Sequence, residues 1–362
     1  MDARYAEGKL TGIGQYIHKL VLGLSQKKIK VLLFYSKNPL CPLSSKNIHP
    51  IILPSDNRYI FEQVLLPRSL GKEKVDLYHA AGNLGVPLLC PCPSVLTVHD
   101  LIPLLYKDYF SFSKFKYLSK ASYFLRTVSS IVKANKIITD SEFTKNCLIK
   151  MFKVPCKKIQ VINLGIKEIK KKTKLPKGVT KNGYILNCGG IDIRKNLERQ
   201  IEAFAKISPL FPKLKLVITG ENRFLKPKLV AFARKLKIDS KVDFPGYLDE
   251  ATLWTLGRNA SCICAPSEIE GFGFPVLQGF AGGVPVVAAN SSSIPEIAGN
   301  SAILVDPYNV LDIARGIKKV LIDNHLRIKL IQRGAKQLKK FSWERTINET
   351  IEIYKGVIGD NE

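Results

Sequence analysis

Acidic side chains are scarce: 30 Asp and Glu stand against 56 Lys and Arg, a formal net charge of +26 in 362 residues. Long apolar runs are missing too. The most apolar stretch, 84–98, is broken by Pro87, Pro91 and Pro93, which excludes a membrane-spanning helix there. Met1-Asp2-Ala3-Arg4 leads into polar and glycine residues rather than an apolar h-region, so no secretory signal is read and a cytoplasmic chain is expected. Of the eight cysteines the closest pairs are Cys90/Cys92 and Cys262/Cys264, neither with the two-residue gap of zinc or redox motifs. They are expected to be reduced core thiols. Helix-turn-helix, zinc-finger and RNP-like signatures are also lacking, so nucleic acid is not an expected partner despite the charge. That charge fits a solvated lysine-rich surface or peripheral contact with an anionic membrane at the inner face of the cell.

What is present is an α/β pattern. Short apolar runs alternate with amphipathic stretches, the signature of parallel sheets covered by helices. Strands are expected at 29–36, 48–54, 75–79, 94–99, 136–139 and 159–164, and a second set at 184–188, 214–219, 241–244, 260–265, 284–289 and 302–305. Between the sets, 167–181 holds seven lysines, one proline and one glycine, a composition suited to an exposed linker. The expected organisation is a Rossmann-like domain at 1–166, the linker, a second Rossmann-like domain at 182–341, and a helix at 342–362, N-capped by Ser342, returning to the first domain.

The most informative segment is 265–290, APSEIEGFGFPVLQGFAGGVPVVAAN. Glu270 precedes Gly271-Phe272-Gly273-Phe274, whose glycines let backbone amides approach a ligand, and Pro275 suits a first helical turn. Free amides at a helix start favour an anionic or polyhydroxyl ligand. Gln278 is expected in that first turn, and Gly282-Gly283 ends the helix before a buried strand.

With the upstream Pro266-Ser267 and the downstream Ser291-Ser292-Ser293-Ile294-Pro295-Glu296, this segment resembles the donor-site signature of retaining glycosyltransferases of family 4. The resemblance implies the GT-B fold, two Rossmann-like doubly wound domains facing across a cleft. In it Glu270 holds sugar hydroxyls, and Gln278 stands where the family has a second Glu for the nucleotide ribose; an amide can accept and donate there. The first strand looks shortened, because similar enzymes carry a complete strand before the Asp2-Ala3-Arg4 segment.

Other segments carry candidate residues that also have plainer roles. Gly12-Ile13-Gly14 leads into a helix at 15–24 and resembles the family's first loop, though a two-glycine turn is usually only a turn. Gly189 and Gly190 precede Arg194-Lys195, a cation pair suited to a diphosphate. Lys195 matches the family's phosphate lysine, Gly190 replaces an expected arginine, and a solvent-facing pair is the plain alternative. His99, ending an apolar strand before Asp100, matches the histidine that contacts the transferred sugar; lone histidines are more often structural, as His18, His49, His79 and His325 are read. Tyr247-Leu248 resembles the loop around the nucleotide base, and Glu221 follows Thr219-Gly220 at a strand end. The aromatic and lysine residues of 109–136 suit either a membrane-surface helix or a core-packed one.

The expected protein is a metal-independent retaining hexosyltransferase with no cofactor, moving mannose from GDP-mannose to a glycan or lipid-linked acceptor in surface polysaccharide assembly. Alternatives are a glucosyl- or N-acetylglucosaminyltransferase or epimerase using a UDP-sugar, or a nucleotide-sugar-binding subunit without turnover. The enzyme reading expects Gln278→Glu to keep or improve transfer.

Overall fold

A computed structural model describes the chain except Lys9, Thr11, Phe112, Lys167, Glu168, Lys170, Lys172, Arg223 and residues 360–362. Thr11 of the glycine loop, Phe112 of the aromatic stretch and those four residues of the expected linker therefore lie outside the described residues. Two compact units result, Met1–Gly165 with Phe341–Glu362, and Ile166–Lys340.

In the first unit β1 (Val31–Tyr35) and β2 (Ile48–Ile52) form one parallel pair. A parallel four-stranded sheet follows, in the order β3 (Tyr78–Ala80), β4 (Ser94–Val98), β5 (Lys136–Thr139), β6 (Ile159–Val161). Strand β4 is buried along its whole length, which is why it reads as a continuous apolar run rather than an alternation. Ahead of β1 the chain makes an isolated bridge. Asp2 pairs in parallel with Phe34, and its N–H donates to the His79 carbonyl at 3.2 Å, so this one residue joins β1 to β3. The apolar core gathers Phe34, Phe61, Tyr78, Leu96, Ile137 and Leu148. Helix Trp343–Gly359 belongs to this unit; the Arg345 N–H donates to Ser342 Oγ at 3.2 Å, the expected cap.

In the second unit β7 (Tyr184–Asn187), β8 (Lys215–Thr219), β9 (Val242–Gly246), β10 (Cys262–Ala265), β11 (Val286–Ala289) and β12 (Ile303–Val305) are all parallel. They lie in the order β12-β11-β10-β7-β8-β9. The chain thus runs outward from β7 on one side and outward from β10 on the other, a doubly wound sheet whose winding reverses between those two strands. Helix Leu197–Ile207 covers the sheet with Leu197, Ile201 and Phe204, spaced at helical intervals and all buried. Helix Phe274–Ala281 is buried on nearly every side and packs close: a Cβ on Gly279 would sit 2.3 Å from Val286 Cγ2. Ile169 and Thr173, inside the expected linker, are tied to this unit. The Arg258 guanidinium donates to the Ile169 carbonyl, and the Thr173 N–H donates to Thr255 Oγ1 at 3.0 Å.

The cysteines are all free, but only Cys262 and Cys264 are buried and Cys41 and Cys156 are exposed, so the expectation of core thiols fails for most of them. Burial pushes Cys262 up to about 12, which keeps that thiol protonated and inert. Among the described residues no helix is long and apolar enough to cross a membrane.

Candidate active site

The reversal between β7 and β10 leaves the loops that follow these strands side by side, and three of the candidate residues, Glu270, Lys195 and Arg194, meet there. Glu270, after β10, reaches two cations that follow β7. Its Oε1 accepts from Lys195 Nζ at 2.5 Å and its Oε2 from an Arg194 guanidinium nitrogen at 2.8 Å. Glu270 and Lys195 are buried, and Arg194 is partly so. Burial alone would raise the Glu270 carboxyl, but Lys195 and Arg194 outweigh it and bring it down to about 2. Burial also lowers the Lys195 ammonium, in spite of the carboxylate against it. The solvent-facing alternative for this pair is therefore excluded for Lys195.

The loop glycines have specific reasons. A Cβ on Gly189 would lie 3.0 Å from Lys195 Nζ, so its absence lets the lysine cross to Glu270. Gly190 has φ +83, and a Cβ on Gly220, itself at φ +103, would lie 2.7 Å from Gly190 Cα. The position that carries an arginine in the family pattern is thus a left-handed turn pressed against a second glycine, a conformation costly for any L side chain. Gly273 starts helix Phe274–Ala281 at φ +132, and the Phe272 and Phe274 rings meet edge to face at 5.3 Å between centroids.

Several supporting residues went unassigned in the sequence. The Glu270 N–H donates to Ser292 Oγ at 2.9 Å, and Ser293 Oγ donates to the Glu270 and Phe272 carbonyls at 2.9 and 2.7 Å. Asn196, in the left-handed conformation, donates its amide to the Pro266 carbonyl at 2.9 Å and to the Pro307 carbonyl. Ser292 and Ser293 were visible only as part of a motif, and Asn196 only as the neighbour of Lys195; their hydrogen-bond partners are set by the sheet order.

Other donor-side candidates sit at neighbouring strand ends. Glu221 is exposed after β8, near Gly246 at the end of β9, where a Cβ would be 3.5 Å from Glu221 Oε1. Tyr247 is exposed and Leu248 half-buried just beyond, and Asp249 caps the following helix through the Thr252 N–H at 3.0 Å. Gln278 differs from expectation. It lies in the second turn of helix Phe274–Ala281, not the first, and its Nε2 donates to the Leu253 carbonyl at 3.2 Å. The amide nitrogen is thereby committed to the protein.

In the first unit His99 follows β4 with both ring nitrogens facing acceptors. Nδ1 lies 2.7 Å from Asp140 Oδ2 and Nε2 lies 3.0 Å from the Ala81 carbonyl, which accepts only. Both bonds are made at once by the imidazolium. Burial opposes that charge, but Asp140 and the Ala81 carbonyl outweigh it and raise the pKa above the ordinary value. A second buried histidine is its opposite: His79, between Tyr354 Oη at 2.6 Å and Thr97 Oγ1 at 2.7 Å, is lowered by burial to about 3 and stays neutral. Thr97 in turn meets Tyr16 Oη at 3.1 Å, and the Tyr16 ring stands edge-on to His99 at 4.7 Å. Asp100 Oδ1 accepts from the Ile102 N–H at 3.0 Å, and Asn83 Oδ1 holds the His99 N–H at 2.7 Å. The glycine loop is part of a helix that begins at Gly12 rather than at 15. Gly14 is required for packing, since a Cβ there would lie 2.6 Å from the Tyr5 carbonyl.

The second unit is doubly wound and carries a carboxylate and two cations at its switch point, and the family of the chain follows from comparison with known proteins. Residues 10–168 match the model of Glycosyltransferase Family 4, and residues 166–337 that of Glycosyl transferases group 1. The chain belongs to this glycosyltransferase family. It is 27% identical to the O-antigen chain mannosyltransferase B of Escherichia coli over 72% of this chain and 70% of that one. It is 28% identical to the serotype-specific mannosyltransferase WbdA of the same organism over 75% of this chain but only 34% of that one. Sucrose-phosphate synthase from Thermosynechococcus elongatus superposes with a TM-score of 0.78 at 17% identity, covering 99% of this chain and 98% of that one. WaaG, a glycosyltransferase involved in lipopolysaccharide biosynthesis, superposes at 0.75 and 16%, covering 96% and 98%. Anabaena HepE in complex with UDP and glucose does so at 0.74 and 16%, covering 96% and 97%. These neighbours establish the GT-B fold.

Proposed function

We propose that this glycosyltransferase takes mannose from GDP-mannose and transfers it, with retention and without a metal ion, to a hydroxyl of a glycan or lipid-linked oligosaccharide in surface polysaccharide assembly. The observation that carries the reading is the Glu270 carboxylate held between Lys195 and Arg194 at the switch point. The mannosyl donor is supported by the names of the relatives, mannosyltransferases of O-antigen chains.

In this reading the diphosphate of the donor takes over donors from Lys195 and Arg194, while Glu270 turns an oxygen to the sugar hydroxyls. The bond between the anomeric carbon and the diphosphate oxygen breaks, and its electron pair leaves with GDP. The two cations stabilise that charge in a buried setting, where fixed donors act most strongly. The acceptor oxygen bonds to the anomeric carbon on the face GDP leaves, and its proton passes to a diphosphate oxygen. No protein base is required. His99 suits none, because an imidazolium engaged through both nitrogens has no lone pair to offer.

The test is GDP release from GDP-mannose in the presence of mannose-terminated oligosaccharide and lipid-linked acceptors, with product anomers read by nuclear magnetic resonance. An α-linked product, insensitive to EDTA, supports the reading. Transfer from a UDP-sugar in its place overturns the donor, an inverted product overturns retention, and donor binding without turnover supports the binding-subunit alternative.

A further inference from the structure

Helix Lys116–Lys133 packs one face on the first unit and leaves the other bare. Thr127, Ser130 and Ile131 are buried, while Arg126 grips buried Glu62 and Ser122 Oγ lies 2.6 Å from Tyr59 Oη. These contacts set the rotation of the helix. The opposite face carries a second apolar stripe, Leu118, Ala121, Leu125 and Val132, spaced at helical intervals. Leu118 is 69% exposed, Leu125 66% and Val132 65%, and the aromatic rings at the helix entrance, Phe115 and Tyr117, are 62% and 78% exposed. The core-packed alternative for this stretch therefore fails for these residues.

We infer that this face docks on an anionic lipid bilayer, with the leucine stripe entering the acyl boundary and the rings at headgroup level. The charge around it decides the occupant. The helix carries no Asp or Glu, and Lys114, Lys116, Lys120 and Lys133 are exposed around the stripe. A second copy of this chain, at a net charge of +26, would be repelled, whereas an anionic surface attracts each lysine. The docking is independent of donor identity, so it stands or falls apart from the proposed reaction.

The experiment is co-sedimentation of the whole protein, without donor, with phosphatidylcholine vesicles containing or lacking phosphatidylglycerol. The protein is expected to pellet only with the anionic vesicles and to be released by salt. Leu118→Asp with Leu125→Asp should lower partitioning roughly tenfold or more, and Lys116→Glu with Lys120→Glu should lower it as well. The exposed positions spare the fold, which an unchanged melting temperature confirms. Leu311→Asp, exposed on the other unit, is expected to leave binding intact. Equal binding to neutral vesicles, no binding, or equal loss in Leu311→Asp overturns the inference. Concentration-dependent self-association abolished by the double leucine variant would assign the face to a second copy.

Discussion

Lys195 Nζ lies 2.5 Å from Glu270 Oε1 although 75 residues separate the two in sequence. Their strands, β7 and β10, are neighbours because the sheet winds outward from both, and each side chain follows the carboxyl end of its strand. The pair is buried, so each partner depends on the other.

Lys195→Ala is expected to cost twice. On the proposed reaction, removing the donor assigned to the departing diphosphate should lower kcat by roughly 100- to 1000-fold, the usual effect of losing such a group. The carboxylate keeps Arg194 and the Ser267 hydroxyl but loses its buried ammonium partner, and unfolding free energy should fall by about 3 kcal/mol, as for a broken buried pair. Initial rates and urea denaturation read the two effects separately.

Acid should weaken the fold through Glu270. A carboxyl lowered in the folded state contributes stability above its unfolded pKa and loses it as pH falls. The window runs from the ordinary value of 4.5 down to about 2, and by linkage the loss is about 3 kcal/mol. Denaturation of wild type and Glu270→Gln from neutral pH downward tests this: the wild type should lose its advantage within that window.

His99 predicts the opposite slope. Its pKa is raised in the folded state, so its contribution is fully present below the ordinary imidazole value and fades as pH rises through the folded one. The groups facing it are Asp140, Asp100, neutral His79 and the Tyr16 ring. Asp140→Asn should reduce the melting temperature most below about pH 6.5 and least in alkali. A uniform reduction at all pH values would mean that His99 is neutral.

Gln278→Glu, which on the enzyme reading of the sequence keeps or improves transfer, is expected to destabilise the fold. The Leu253 carbonyl would lose the amide donor it holds at 3.2 Å and face a carboxylate oxygen. A loss of roughly 1 kcal/mol is expected from the lost hydrogen bond, measurable by chemical denaturation. No loss of stability would return Gln278 to a purely ligand-facing role.

Much of this was legible from residue order. Strand positions followed from apolar runs, and β5 fell at 136–139 because Asn135 and the Ser141 cap bound it closely. Glu270, Lys195 and Arg194 stood out because glycines and helix starts accompany each. Their mutual contact was not legible, since it rests on strand order rather than spacing. The same holds for the His99–Asp140 bond, made 41 residues apart across β4 and β5. Gly190 looked like a lost arginine until its positive φ gave the reason for glycine. Exposure of Leu118 and Leu125 could not be read from a helical pattern that suits two faces equally.

On the proposed reaction the Glu270 cluster binds a guanosine diphosphate sugar. Calorimetric titration of wild type and Glu270→Gln with GDP-mannose, GDP and UDP-glucose tests it most directly. Saturable binding of GDP-mannose tighter than UDP-glucose is expected, with at least a tenfold loss for GDP-mannose, larger than for GDP, in Glu270→Gln, about 1.4 kcal/mol. Preference for UDP-glucose, or affinities indifferent to the substitution, would contradict it.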